Sequence, residues 1–260
     1  VSSSIFHIQD VSWKREQKTI LEQINWEVKE GEHWAVLGLN GSGKTTILNM
    51  INGYIWPTKG KVSVLGHPFG RVDLRELRKS IGWVSSSLQE RLRGSDRAQH
   101  VVLSGKYASI GLYDKPEQAD YDQAERLMKQ LGCGHLIDRL YVTCSQGEKQ
   151  KLLIARALMA QPKLLILDEA CNGLDFLSRE ALLASIGELA ASGESPHMLF
   201  VTHHIEEILP VFTHTLLLRR GQVYAQGKTK EVINSELLSD FFETPVHIQW
   251  QNDRAWLSVP

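Results

Sequence analysis

The stretch Gly38-Leu-Asn-Gly41-Ser-Gly43-Lys44-Thr45-Thr46 fills every fixed position of the pattern G-x-x-x-x-G-K-[ST]. Its chemistry is phosphate binding. Glycines at 38, 41 and 43 let the backbone turn tightly and present its N–H groups. Asn40, Ser42 and Thr46 complete the loop, and the start of a helix behind it adds a positive dipole end. Lys44 supplies a mobile positive charge for the outer phosphates, and the Thr45 hydroxyl is placed to ligate Mg²⁺.

Two further stretches could act on a bound phosphate. Leu164-Leu-Ile-Leu-Asp168-Glu169 is an apolar run that ends in two carboxylates. In open α/β sheets that end of a strand is where ligands sit. Asp168 suits the shell of a Mg²⁺ ion, directly or through water. Glu169 suits a general base that orients and polarises an attacking water. The other stretch is Cys144-Ser145-Gln146-Gly147-Glu148. Ser145-x-x-Glu148 reads locally as a capping box that opens a helix. The residues allow either a plain helix start or an exposed helix N-terminus that binds an anion.

Elements must hold these groups in place. His33-Trp-Ala-Val-Leu37 reads as a buried strand entering the glycine loop. Thr46–Asn52 reads as a helix leaving it, with Ile47, Leu48 and Ile51 on one face and Gly53 beyond its end. Residues 5–28 alternate as strands around a polar turn at 14–18. Lys61–Leu65 and Ile81–Val84 predict further strands, with a short helix at Leu74–Lys79 between them. Strand signals vanish over 87–144. There Tyr121, Ala124, Leu127, Met128 and Leu131 mark one face of a helix. Lys163–Asp168 and His197–Thr202 are continuous apolar runs suited to central parallel strands, with a helix at 178–191 between them. A hairpin is expected around Arg220-Gly221, helix over 229–243, and a second hairpin around Asn252-Asp253. The expected fold is therefore α/β: a P-loop core with an N-terminal antiparallel β subdomain and an inserted helical subdomain. The core takes 1–86 and 145–228, the helical part 87–144, and a C-terminal helix and hairpin 229–260.

Composition narrows the class. The chain has 260 residues, 42% hydrophobic and 23% charged, with a formal net charge of -1. That balance is globular and does not recommend nucleic acid as a partner. The longest apolar runs are too short to span a bilayer. Residues 1–6 lack the charged start and apolar run of a signal peptide. Three cysteines without metal spacing point to a reducing compartment, with the thiols as packing residues.

The order of these motifs resembles the ATP-binding cassette (ABC) ATPases over residues 5–230. Cys144–Glu148 stands where that family has Leu-Ser-Gly-Gly-Gln. Ser145 and Gly147 are kept, while Gln146 adds bulk where the family usually leaves none. Asn172-Gly-Leu-Asp175 looks like the family's D-loop, and His203 looks like its switch histidine. Trp13 falls at the aromatic position that stacks on adenine. After Ile81–Val84 the family has a metal-contacting Gln, but this chain has Ser85-Ser86-Ser87. Either Ser86 ligates metal through its hydroxyl, or Gln89 serves in a shifted loop, or the link from nucleotide to helical lobe is altered.

The resemblance implies an ATPase using ATP and Mg²⁺. It implies a head-to-tail dimer of nucleotide-binding domains, built from two copies or a copy and a paralogue. Glu169, His203 and Lys44 would act on the γ-phosphate. Ser145 and Gly147 would contact nucleotide across the dimer, and Asp175 would be either a nucleotide-site residue or a plain helix N-terminal one. A separate integral membrane permease would then be the partner, placing the chain in the cytoplasm at the inner face of the membrane. The alternatives are a soluble ABC ATPase acting on nucleic acid or ribosomes, and a cassette that binds ATP without turning it over.

Overall fold

The computed structural model describes residues 4–193 and 195–260. Two long strands open the chain, β1 (Ser4–Arg15) and β2 (Lys18–Lys29), paired antiparallel. The turn between them is only Glu16 and Gln17, both at positive φ (48° and 67°). Turns of that hand match the twist of the flanking strands. Asp10 also has positive φ (50°), and the register shifts between Ile8 and Val11. β1 is thus one continuous strand with an irregular step.

Next come β3 (Trp34–Leu37), α1 (Lys44–Ile51), β4 (Lys59–Val64), β5 (His67–Pro68) and α2 (Leu74–Lys79). The chain continues through β6 (Ile81–Val84), α3 (Ser86–Arg91), α4 (Ala98–Leu103), α5 (Gln118–Gln130) and α6 (Gln146–Leu158). It then runs through β7 (Leu164–Asp168), α7 (Phe176–Ala191), β8 (His197–Thr202), β9 (His214–Arg219) and β10 (Gln222–Lys228). Last are α8 (Thr229–Val232), α9 (Ser235–Phe242), β11 (His247–Gln251) and β12 (Arg254–Ser258). The stretch 229–243 is thus two helices, because Asn234 breaks the first and caps the second by accepting the Leu237 N–H at 2.9 Å.

The chain divides into two compact units, residues 1–78 with 197–260, and residues 79–196. In the first, β2-β1-β4-β5 form an antiparallel sheet, and β3 lies between β8 and β9, parallel to both. β10 closes on β9 as an antiparallel edge. All four β3 residues are buried, which suits a strand covered on both faces. Trp26 of β2 packs edge-on against Phe6 (centroids 4.7 Å apart) and Trp34 (5.7 Å), joining the two sheets through one aromatic cluster.

In the second unit β6 pairs parallel with β7. α4 and α5 pack on α6. The buried Arg156 guanidinium of α6 donates to Ser104 Oγ (3.2 Å) and the Ser109 carbonyl (2.9 Å), which offsets part of the cost of burying that charge. Within 87–144 the only β pairing among the described residues is a single bridge, Arg97 to Leu140. The loss of strand signal there is matched by helices.

Candidate functional site

In the first unit, β3 delivers the chain to Gly38 and α1 carries it away from Gly43. Gly38 faces the next strand so closely that a Cβ would lie 2.7 Å from the Leu218 carbonyl oxygen and 2.5 Å from Ser42 Oγ. Gly43 caps α1 at φ 106°, and a Cβ there would stand 2.7 Å from Leu21 Cδ2. Both backbone conformation and space demand glycine at 43. Gly41 is at φ 77° but faces open space. The first N–H groups of α1 have no carbonyl one turn earlier to bond, and no acidic side chain stands in that turn. The helix therefore begins as a small positive concavity.

Lys44 is 6% exposed, and its ammonium donates to the carbonyls of Gly38 (2.6 Å) and Leu39 (3.3 Å). The amine is held over its own loop, where an anion would meet it. The Ser42 hydroxyl is buried with no hydrogen-bond partner among the described residues. Asn40 and Thr45 are exposed and Thr46 is half-buried.

Trp13 and His203 lie in the same unit. Trp13 is half-buried in β1 opposite Leu21. His203 follows β8 directly, half-buried, its ring 4.2 Å from that of the exposed His204. This turn is pinned from below. Thr202 Oγ1 donates to Glu207 Oε2 (2.5 Å) and accepts the His204 N–H (3.0 Å).

The second unit holds the remaining candidates. Asp168 ends β7 behind four fully buried residues, and both Asp168 and Glu169 are half-buried. Glu169 sits at φ 52°. That left-handed conformation is unfavourable for a non-glycine residue, and such conformations gather where function holds them. The turn after it is braced by Asn172 N–H to Glu169 O at 3.0 Å. Asp175 is the N-cap of α7 and accepts from the Ser178 N–H (3.0 Å) and hydroxyl (2.7 Å). These bonds hold its carboxyl below the usual carboxylate range.

The capping box at α6 is present. Ser145 Oγ accepts the Glu148 N–H (3.2 Å), and Glu148 Oε2 accepts the Ser145 N–H (2.7 Å). Ser145 is exposed. Burial works to raise the Glu148 pKa, but the Ser145 N–H and the Arg139 charge outweigh it, so the carboxyl stays ionised. Gly147 packs on α7, where a Cβ would lie 3.2 Å from Ser178 Cβ. Cys133, Cys144 and Cys171 are buried and in no disulfide. Burial pushes Cys133 up to about 11 and raises Cys144 as well, so both are packing groups rather than nucleophiles.

The serine run after β6 is not an open loop. Ser86 is the exposed first residue of α3, and Ser85 Oγ lies 3.0 Å from Ser87 Oγ. Gln89 turns to α6 instead and bonds Gln146 and Gln150. Sequence reading missed this cluster, because partners 57 residues apart leave no local signal.

Thr45, Asp168 and Ser86 offer hard oxygen donors, the chemistry Mg²⁺ takes. Among the described residues no three His, Cys, Asp or Glu side chains gather as a metal site. Thr45 stands in the first unit and Asp168 and Ser86 in the second; magnesium commonly takes phosphate and water as its other ligands.

Strand, phosphate loop and helix in one unit, with an apolar strand ending in Asp-Glu in the other, define an α/β P-loop nucleotide-binding protein. The chain belongs to the ABC transporter family, whose model matches residues 21–172. It is 51% identical to YlmA of Bacillus subtilis (strain 168), an uncharacterised ABC transporter ATP-binding protein, over 98% of this chain and 97% of that one. Among solved structures, cbiO1 from Clostridium perfringens, part of the ABC transporter complex cbiONQ, superposes with TM-score 0.78 at 27% identity, covering 91% of this chain and 93% of that one. The cassette MJ0796, in a dimeric post-hydrolysis state bound to ADP and phosphate, shares the fold at TM-score 0.71 and 24% identity, covering 86% and 98%. The chain is therefore the ATP-binding domain of an ABC transporter.

Proposed function

We propose that the chain hydrolyses ATP and couples closure of a cassette dimer to transport through a separate membrane permease. The observation that carries this is the complete cradle at Gly38–Thr46 with the Lys44 amine held over it. In this reading the backbone of Gly38, Asn40, Gly41, Ser42 and Gly43 and the start of α1 at Thr45 and Thr46 bind the phosphates, and Lys44 moves from its carbonyls to the β- and γ-oxygens. Trp13 stacks on the adenine. Magnesium, held by Thr45, Asp168 and Ser86, would neutralise charge developing on the phosphates.

Glu169 orients the attacking water and takes its proton. His203 contacts the γ-phosphate or that water. From the other cassette, Ser145 donates its hydroxyl proton and Gly147 its N–H to the γ-phosphate, with Asp175 at the edge of the same nucleotide. A phosphate bridging two cassettes holds them closed, and cleaving it releases them. Residues 1–86 and 145–228 would be the ATP-binding core, 87–144 the helical lobe that meets the permease, and 229–260 an extension. The permease would be another chain, met at the cytoplasmic face of the membrane; no helix among the described residues is long and apolar enough to cross a membrane.

The test is direct. Purified wild type should release phosphate from Mg-ATP, and Lys44→Ala should lose nucleotide binding. A wild type that binds ATP and never turns it over would favour a binding-only cassette. An integral membrane protein co-purifying with the chain supports the transport reading, whereas ribosomes or RNA co-purifying instead would contradict it.

A further inference from the structure

Gln146 is the residue that most departs from the family's signature, and the structure shows what its bulk does. It is the first residue of α6, directly after the Ser145 cap. Its amide pairs reciprocally with that of Gln89 in α3. Gln89 Nε2 donates to Gln146 Oε1 (2.9 Å), and Gln146 Nε2 donates to Gln89 Oε1 (3.0 Å). Gln150, one turn further along α6 and only 3% exposed, donates its Nε2 to the same Gln89 Oε1 at 3.0 Å. One amide in α3 thus holds two successive positions on one face of α6.

Only an amide meets this demand. Gln89 must donate once and accept twice, and an amide oxygen has two lone pairs. A carboxylate could accept both bonds but could not donate. An apolar side chain would leave the buried Gln150 amide without its partner, which is costly. The Gln150 Oε1 already lacks a partner among the described residues. The arrangement therefore depends on Gln89 for whatever satisfaction Gln150 has.

We infer that Gln89 is a positioning residue for the signature helix. Through Gln146 and Gln150 it fixes the first turn of α6, so that the Ser145 hydroxyl and the Gly147 N–H face the nucleotide held by the other cassette. Where the family leaves space at 146, this chain fills it with one half of an amide pair. Movement of α3 passes to Ser145 through that pair. The inference rests on the reading above that the α6 N-terminus contacts nucleotide across a dimer.

The experiment uses the full chain carrying Glu169→Gln, with Mg-ATP, and reads dimer affinity by sedimentation. Gln89→Ala and Gln146→Ala should each weaken the dimer about 10-fold, the effect of one or two lost side-chain hydrogen bonds. The double variant should be no weaker than Gln89→Ala alone, because both substitutions break the same pair. ATP affinity of the monomer should be unchanged, since neither Gln89 nor Gln146 is assigned a contact with the nucleotide of its own cassette. Gln89→Glu keeps both accepting roles and should fall between parent and Gln89→Ala, which preserves the test should Gln89→Ala unfold. Additive losses in the double variant, or a Gln89→Ala dimer as tight as the parent's, would overturn the inference alone. A parent that stays monomeric with ATP would overturn the reading of α6 itself, and this inference with it.

Discussion

Lys44 and the glycines around it show how single residues decide this site. Gly41 and Gly43 both have positive φ, but only Gly43 is also short of space. We expect Gly41→Ala to cost about 1–2 kcal/mol, the backbone penalty alone. Gly43→Ala should cost more, because its Cβ must also displace Leu21 of β2. Denaturant unfolding of the two variants measures the difference, and equal costs would mean that Leu21 yields freely. Ser145→Ala removes the cap of α6 and should cost about 1 kcal/mol. At that position stability and activity separate: the same substitution should lower the ATPase rate far more than a lost cap explains, because it also removes the donor proposed for the γ-phosphate.

Elements place these residues, and one placement is sensitive to pH. At the entry of β3, His33 Nδ1 accepts the Met198 N–H of β8 at 3.0 Å, so that nitrogen must stay unprotonated. The His197 ring lies 6.4 Å away. Burial lowers the pKa of both imidazoles, His33 further through repulsion from His197, while the Glu30 charge and the Glu32 backbone pull His197 partly back. The unfolded chain takes up these protons near the ordinary value of 6.5, the folded chain only below it. Stability is therefore full above that value and falls as pH drops beneath it. Melting curves from about pH 7.5 to about pH 5 should show the fall, and His33→Gln should flatten it. Much of this level was legible beforehand. β3, α1, β6, β7, β8 and the hairpin at Arg220-Gly221 announce themselves through apolar runs, helical spacing and turn residues. Those signals are local. α3 was missed because Ser85-Ser86-Ser87 is poor helix sequence and the helix carries no buried residue. The Gln89 cluster and the His33–Met198 bond were illegible because their partners are far apart along the chain. Of the candidate site, the P-loop and the Asp168-Glu169 pair could be read from residue types alone, while His203, Trp13 and Asp175 needed the family pattern to be singled out.

At the scale of the molecule, two units each carry part of a phosphate chemistry. One holds the cradle, the lysine and His203. The other holds the carboxylates and the α6 N-terminus. In the proposed cycle Asp168 and Glu169 serve the nucleotide of their own cassette, while Ser145 and Gly147 serve that of the other. Glu169 is where that account is most exposed, for it alone is assigned the proton of the attacking water. The measurement is phosphate release by wild type and Glu169→Gln under saturating Mg-ATP, with the mutant's size followed in the same samples. The account requires that the variant bind ATP, release phosphate at least ~100-fold more slowly than wild type, and run as a dimer only when ATP is present. Phosphate release at the wild-type rate by Glu169→Gln would contradict it.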